Sequence, residues 1–397
     1  MTDKQLQAYR IYQRFLRTLL TISGCWYMPT KFGKTTYFLP VFTFLMMVCY
    51  ASIFVHMSYI LRHNLENMVK CIAGALGGAS AVLKVTIFVI NRDSLKNYHQ
   101  TLNDLFEEEL KQNEKIRTII FSPLRRIYTL TYTYFIVLET VVLAYVAPPY
   151  IFVIRGLCQR HLTTNYTLPV SRGFGHFWTV PDNFLYHFHF FFEIMLALIC
   201  SIITCSVDSI FGFYVCQFTS TLRAMIFRLT NPLPAEKFSD LLRNCVAKHQ
   251  RLLRCRDILE HVYGPIVFWH IVTNALFLCA LIYNATRLSL MTLDDRASTI
   301  AFVTQSLVKL LQTFTYAFYG TVLANAGEDF RNGIYFSKWI NSRLDRHVRT
   351  NIILLLMQKP MFVNAFFTPV NMIMFTNFVN TTMSYFFLLQ SVGDKGG

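Results

Sequence analysis

Apolar residues run in seven long stretches, approximately 36–61, 68–90, 128–152, 184–215, 262–286, 297–325 and 361–392, with polar residues crowded between them. A bilayer's hydrocarbon core, roughly 30 Å thick, takes about 20 apolar residues of helix. Each stretch is long enough to cross, so the pattern predicts an all-α membrane protein with seven transmembrane helices. Elsewhere the period is that of amphipathic helices. Residues 4–20 set Leu6, Tyr9, Phe15, Leu16 and Leu19 among Arg10, Arg14 and Arg17. Such a helix either lies on the membrane surface or tucks beneath the bundle. After a break at Asn231-Pro232-Leu233-Pro234, one stripe gathers Leu241, Leu242, Cys245, Val246, His249, Leu252 and Leu253, the period of a helix packing on other helices. A further helix over about 337–358 ends at Pro360. Segments 91–127, 216–261 and 326–360 are thus expected to form a helical assembly region outside the membrane, with 1–35 as an N-terminal amphipathic segment.

Charge gives the spans a direction. Of 37 Lys and Arg residues, 27 fall in 1–35, 91–127, 216–261 and 326–360, and only 7 in 62–67, 153–183, 287–296 and 393–397. The remaining three, Lys70, Lys84 and Lys309, lie within spans. The positive-inside rule then puts the N-terminus in the cytoplasm and, after seven crossings, the C-terminus outside. That is the reverse of a G-protein-coupled receptor, and neither a DRY-like triplet nor an NPxxY stands at the expected helix ends. The formal charge of +15 sits in cytoplasmic segments facing anionic lipid, so membrane lipid is an expected partner and nucleic acid is not. Met1 to Gly24 carries Lys4, Arg10, Arg14 and Arg17 without a clean apolar core, so no cleavable leader is expected.

The ten Cys show no CxxC or Cys/His zinc spacing, which makes reduced, packed thiols the expectation. Only Cys71 and Cys158 fall near the outer face, and a bridge between them is disfavoured. Asn165-Tyr166-Thr167 is a glycosylation sequon in the second outer loop, and Asn284-Ala285-Thr286 another at an outer helix end; Asn165 is the expected acceptor.

Little in the chain suits catalysis. His187 and His189, two apart, point about 200° from each other on a helix and cannot share a metal. There is no phosphate loop, HExxH or hydrolase elbow, and neither enzymatic activity, a metal nor a cofactor is expected. Internal repeats, the mark of a transporter, are absent. The intramembrane ionisable residues Lys84, Glu139, Glu193, Asp208 and Lys309 either line a wet cavity or pair across helices. The last span, 361–392, holds no charge but carries a polar row at helical spacing: Asn371, Asn377, Thr381 and Ser384, leading to Leu388 and Val392. Asn364 and Thr368 extend the row inward, with Pro369 able to bend or start the helix. Polar rows glue helices together or line a pore closed by an apolar ring. Leu388 and Val392, with Gln390 and Ser391 beside them, would form such a ring, and the residues alone leave both uses open.

The final quarter resembles the insect odorant receptor family. Its pattern reads here as Tyr316, Gly320, Gly327, Glu328, Tyr335 and Trp339, then Gln358-Lys359-Pro360, Phe375, Ser384-Tyr385 and Leu388-Leu389. The family's usual Ser is replaced by Gly327, and Gly333 is the small residue upstream of Tyr335. The resemblance implies an odorant-gated, non-selective cation channel in a sensory-neuron plasma membrane, one subunit of a tetramer shared with a co-receptor. The last helix, 361–392, would line the pore, making Thr381, Ser384, Leu388, Gln390, Ser391 and Val392 pore or gate residues. The co-receptor carries a longer second inner segment than the 46 residues from 216 to 261 here, so an odorant-tuning subunit is implied. A small volatile odorant and permeant cations are the implied ligands. The family's pocket, mapped by helical face, falls on Gly74, Ala75, Gly78, Leu143, Ala147, Tyr150, Phe190, Ile194, Phe302 and Ser306. A gustatory-like receptor, assembling without that co-receptor, is the nearer rival reading.

Overall fold

The computed structural model describes residues 2–28, 37–63, 65–112, 114–158, 184–232, 237–288, 295–337, 346–358 and 360–393. Asn165 and Trp339 lie outside the described residues. The chain folds as α1 (Thr2–Ile22), α2 (Phe38–Ile60), α3 (Leu65–Ile90), α4 (Arg92–Leu110), α5 (Glu114–Phe121), α6 (Leu124–Cys158), α7 (Leu185–Thr230), α8 (Phe238–Leu288), α9 (Asp295–Tyr335) and α10 (Arg346–Leu356). A two-stranded hairpin, β1 (Asn364–Ala365) with β2 (Thr368–Pro369), and α11 (Met372–Gly393) complete it. The seven long helices α2, α3, α6, α7, α8, α9 and α11 answer one for one to the seven apolar stretches. Five of the described helical segments, in α2, α3, α5 with α6, α7 and α8, are each apolar and long enough to cross a membrane by composition alone.

Helices α7 and α8 exceed what a bilayer needs. At 46 and 51 residues they run about 70–75 Å at 1.5 Å per residue, so each is far longer than one crossing of a bilayer requires. From Ser201 to Leu222 almost every residue of α7 is buried, and it touches α1, α3, α4, α5, α6, α8 and α9. The expected stripe on α8 is its buried face: Leu241, Leu242, Cys245, His249 and Leu252 are all enclosed. They meet Leu102, Leu105 and Phe106 of α4 within one apolar cluster. Lys248 pairs with buried Glu109 and, at 2.8 Å, with Glu108. The N-terminal helix takes the second of its two options. Tyr9, Tyr12, Leu16 and Leu20 are buried, Gln217 Nε2 donates to Tyr9 Oη at 2.8 Å, and Tyr12 Oη meets Thr131 Oγ1 at 2.9 Å.

Two histidines make this region acid-sensitive. His99 lies against Tyr27, and His249 is stacked on Phe330 with ring centroids 4.9 Å apart. Burial lowers both from the usual 6.5 to about 4. The unfolded chain therefore binds more protons than the folded one between those values, and stability falls as pH drops through that window. Moving from pH 7 to pH 5 is expected to cost about 2 kcal/mol per histidine. Thermal unfolding of the detergent-solubilised protein reads this, and His249→Leu should remove about half of the pH dependence.

The last span begins later than its apolar composition suggests. Residues 361–371 do not continue a helix, because Pro360 and Pro369 lack an N–H and restrict the residue before them. The hairpin turns there through Phe366, at φ 56°. Asn364 and Thr368 are strand residues rather than inward members of a helical row. The Asn364 backbone N and Nδ2 both donate to Glu260 Oε2, at 3.1 and 3.2 Å. Asn371 serves as a cap, its Oδ1 accepting from Met374 N at 2.9 Å. Cys71 is buried and Cys158 exposed, and the two are not bridged.

Candidate functional site

A cavity of about 210 Å³ lies between α2, α3, α6, α7, α8 and α9. Tyr50 and Phe54 of α2, Gly74 and Gly77 of α3, Leu138, Val142 and Val146 of α6 and Val308 of α9 make most of it apolar. A Cβ on Gly74 would run into the Phe54 ring, so the absent side chain is what lets that aromatic wall close in. Polar atoms gather along two helical rows: Ser201 and Thr204 on α7, and Gln305, Lys309 and Gln312 on α9. Rows at i, i+4 and i+7 share one face of a helix. The volume is smaller than the 300 Å³ or more usual for drug-sized ligands, which suits a lighter molecule.

Beneath the cavity sits a buried polar hub. Asp208 Oδ1 receives Lys84 Nζ at 2.6 Å and Tyr316 Oη at 2.5 Å. Its Oδ2 receives Gln312 Nε2 at 2.8 Å and Tyr134 Oη at 3.0 Å. Lys84 Nζ also reaches the Thr204 carbonyl at 3.5 Å. Both charges are almost fully buried, at 0% and 3% side-chain exposure. An isolated charge inside a membrane is costly, and four donors on one carboxylate meet that cost. Tyr134 and Gln312 belong to both cavity wall and hub, so the site and the ion pair share two side chains. Of the expected alternatives, cross-helix pairing holds for Lys84 and Asp208. Glu139 accepts from Ser201 Oγ at 2.8 Å. Lys309 faces the cavity, its Nζ 5.7 Å from the centre of the Phe277 ring.

The residues mapped to a pocket by helical face divide into groups. Gly74 lines the cavity. Tyr150 and Phe190 stack at 4.4 Å and, with Ile194, pack around Val146, Val153 and Tyr186 in a separate cluster between α6 and α7. Ala75 packs on the main core, and Gly78 meets Tyr50 and Ala51 of α2. Ala147 and Ser306 are half-buried, whereas Leu143 is 62% exposed on the outside of the bundle. Phe302 lies on α9, with its side chain outside the described residues. Sequence reasoning missed Tyr50 and Phe54, because α2 is apolar on nearly every side, and it missed Phe277, although His270 and Asn274 mark that face of α8. It also missed Tyr134, Gln305 and Gln312, although the polar spacing of 305, 309 and 312 was readable.

Helix α11 has two faces. Met374, Phe378, Thr382 and Phe386 are buried, and Cys279 Sγ donates to the Thr382 carbonyl at 3.3 Å. The opposite face exposes Asn377, Thr381, Ser384 and Ser391, with Leu388 57% exposed among them. Gln390 and Val392 fall on the last turns of the same helix, their side chains outside the described residues. In a bilayer a polar row turned away from its own bundle requires water or another protein surface.

Motif residues shared with the odorant receptor pattern have direct structural work. Tyr316 donates to Asp208. Gly320 and Gly327 are the points where α9 meets the returning chain: a Cβ on Gly320 would overlap the Val370 carbonyl, and one on Gly327 would stand 2.6 Å from Met361 Cβ.

Residues 64–383 match the family model described as 7tm Odorant receptor. Among curated proteins, Odorant receptor 9a of Drosophila melanogaster is 26% identical over 188 residues, 47% of this chain and 46% of that protein. Odorant receptor 46a, isoform B, of the same species is 27% identical over 212 residues, 49% of this chain and 53% of that protein. The chain spans about half the length of the curated relatives it matches. In fold it is similar to the insect olfactory receptor OR5 from Machilis hrabei in complex with eugenol, with a TM-score of 0.80 at 18% identity over 98% of this chain and 100% of that one. A second structure of the same receptor gives a TM-score of 0.79.

Proposed function

The chain belongs to the 7tm odorant receptor family, and from that premise we propose that it is the odorant-tuning subunit of a ligand-gated, non-selective cation channel. The observation that carries the reading is a small, mostly apolar cavity lined by six helices of a family fold. Dispersion and shape bind molecules with little polarity in such a space. The similar receptor from Machilis hrabei is described in complex with eugenol, a small ligand of that kind. The charge asymmetry of the loops favours a cytoplasmic N-terminus, which argues against G-protein coupling. The site of action would be the plasma membrane of a sensory neuron.

The exposed polar face of α11 supports a pore-lining role. Several copies around an axis would place Asn377, Thr381 and Ser384 on water, with Leu388, Gln390, Ser391 and Val392 at the constriction. The helices below the membrane, α4, α5, α10 and the ends of α7 and α8, offer the surface on which a co-receptor would assemble into a heterotetramer. An odorant opens such a channel only if it binds the open arrangement better than the closed one. Leu388 and Val392 would then separate, and the dry ring would wet.

Whole-cell current during a panel of volatile odorants, with this chain expressed alone and beside an insect co-receptor, tests the proposal. Odorant-evoked cation current only with the partner is expected. Current from this chain alone would replace it with a self-sufficient, gustatory-like channel, and silence in both at confirmed surface expression would overturn it. Leu388→Ser is expected to raise leak current several-fold without odorant. Unchanged basal conductance would remove Leu388 from the gate.

A further inference from the structure

Among the described residues, the cavity holds a cation that pairs with no carboxylate and rests over the Phe277 ring, 5.7 Å from its centre. Lys84 is neutralised by Asp208 at 2.6 Å, and the same carboxylate is already filled by Tyr134, Tyr316 and Gln312. Glu139, on the neighbouring wall, accepts from Ser201. Among the described residues no carboxylate lies within 4 Å of Lys309 Nζ, and no acceptor lies within hydrogen-bond reach. Its ammonium instead faces the space that Phe277 and Val308 also line. Lys309 is half-buried, and an ammonium turned toward a largely apolar space at membrane depth gains from an acceptor brought by a ligand. Close by, Gln305 and Thr204 present further polar groups to the same space, while Val142, Val146 and Phe54 leave the remainder apolar.

Resting on the reading that this cavity receives the odorant, we propose that it selects small ligands with an oxygen acceptor at one end, a carboxylate foremost. Lys309 holds the head group, Gln305 and Thr204 flank it, and the apolar tail lies along Val142, Val146 and Phe54. The same cation that attracts a carboxylate repels an ammonium, so amines of equal length are excluded. Discrimination of this kind needs no change in cavity size, because the head groups are of similar bulk and differ in sign.

The test uses four straight-chain compounds of one tail length at pH 7: a carboxylic acid, its methyl ester, the amine and the plain alkene. Two readouts run in parallel, evoked current in cells expressing this chain with a co-receptor and thermal stabilisation of the purified full-length chain. The acid is expected to act at a concentration at least about tenfold below the amine and the alkene, with the ester between. Lys309→Met, which keeps the length and removes the charge, should erase the acid's advantage over the alkene. Equal potency of acid, amine and alkene on the unmodified protein overturns the proposal without any variant. An acid preference that survives in Lys309→Met overturns the assignment to this residue. Lys309-dependent stabilisation of the purified chain by the acid, with no evoked current in cells, would uphold the ligand class and sink the channel reading. Currents indifferent to the head group would do the reverse.

Discussion

Asp208→Asn is expected to destabilise the bundle by about 3–5 kcal/mol, the cost of leaving a buried charge without its partner. The substitution changes one oxygen to nitrogen and leaves the volume intact, so packing cannot account for the loss. What changes is the charge facing Lys84, whose side chain has no exposure at all, and the acceptor shared by Tyr134, Gln312 and Tyr316. An amide nitrogen turned toward any of these donors meets a hydrogen rather than a lone pair. Asp208→Asn should therefore lower the unfolding midpoint in detergent and reduce the fraction of protein at the cell surface. Lys84→Met in the same chain removes the stranded ammonium and should recover most of that loss, because no buried charge is then left without a partner. Non-additivity of this size is expected for residues in contact. A single variant as stable as the parent would show that the pair is hydrated. A double variant no better than the single would place the damage in the tyrosine and glutamine bonds instead.

That pair also shows where the sequence was legible. The seven spans, the N-terminal helix and the α8 stripe follow from local period, and local period is what a single chain displays. Lys84 and Asp208 are 124 positions apart, and nothing in a one-dimensional pattern joins them. Their identity as expensive intramembrane charges was readable, whereas their pairing required the bundle. Facing was harder still. Val141, Val142, Leu143, Ala144, Val146 and Ala147 make the outer half of α6 apolar on every side, and a helix without a polar face carries no phase. Mapping by helical face accordingly assigns Leu143 to the pocket, although Val142 and Val146 line the cavity and Leu143 lies outside. The aromatic wall from α2 was hidden for the same reason. The polar rows on α7 and α9 carried a phase, and they point to the cavity. At the start of the last span, apolar composition concealed a hairpin that the prolines enforce.

Gly320→Val is expected to silence the odorant response while most of the bundle still folds. Helix α9 passes so close to the returning chain that a Cβ at Gly320 would overlap the Val370 carbonyl oxygen and stand 2.8 Å from its carbon. The obstacle is backbone, which cannot rotate aside as a side chain can. The junction is tied on every side: Val370 N donates to the Val363 carbonyl at 2.9 Å, Met372 N donates to Thr321 Oγ1 at 2.9 Å, and Asn371 caps α11. Relief of the clash must therefore shift the hairpin and, with it, the start of the helix whose exposed face carries the proposed pore residues. Overpacking of a tight core costs about 1–3 kcal/mol, so α1 to α9 should survive with reduced stability. Gly77→Ala controls for folding and surface expression alone, since a Cβ there meets no protein atom within 4 Å but enters the cavity, and alanine favours the helix. Surface expression of both variants beside evoked current separates the outcomes. Loss of current in Gly320→Val at retained expression would tie α11 placement to gating through this glycine. Normal current would mean that the contact between α9 and Val370 opens without consequence for the pore.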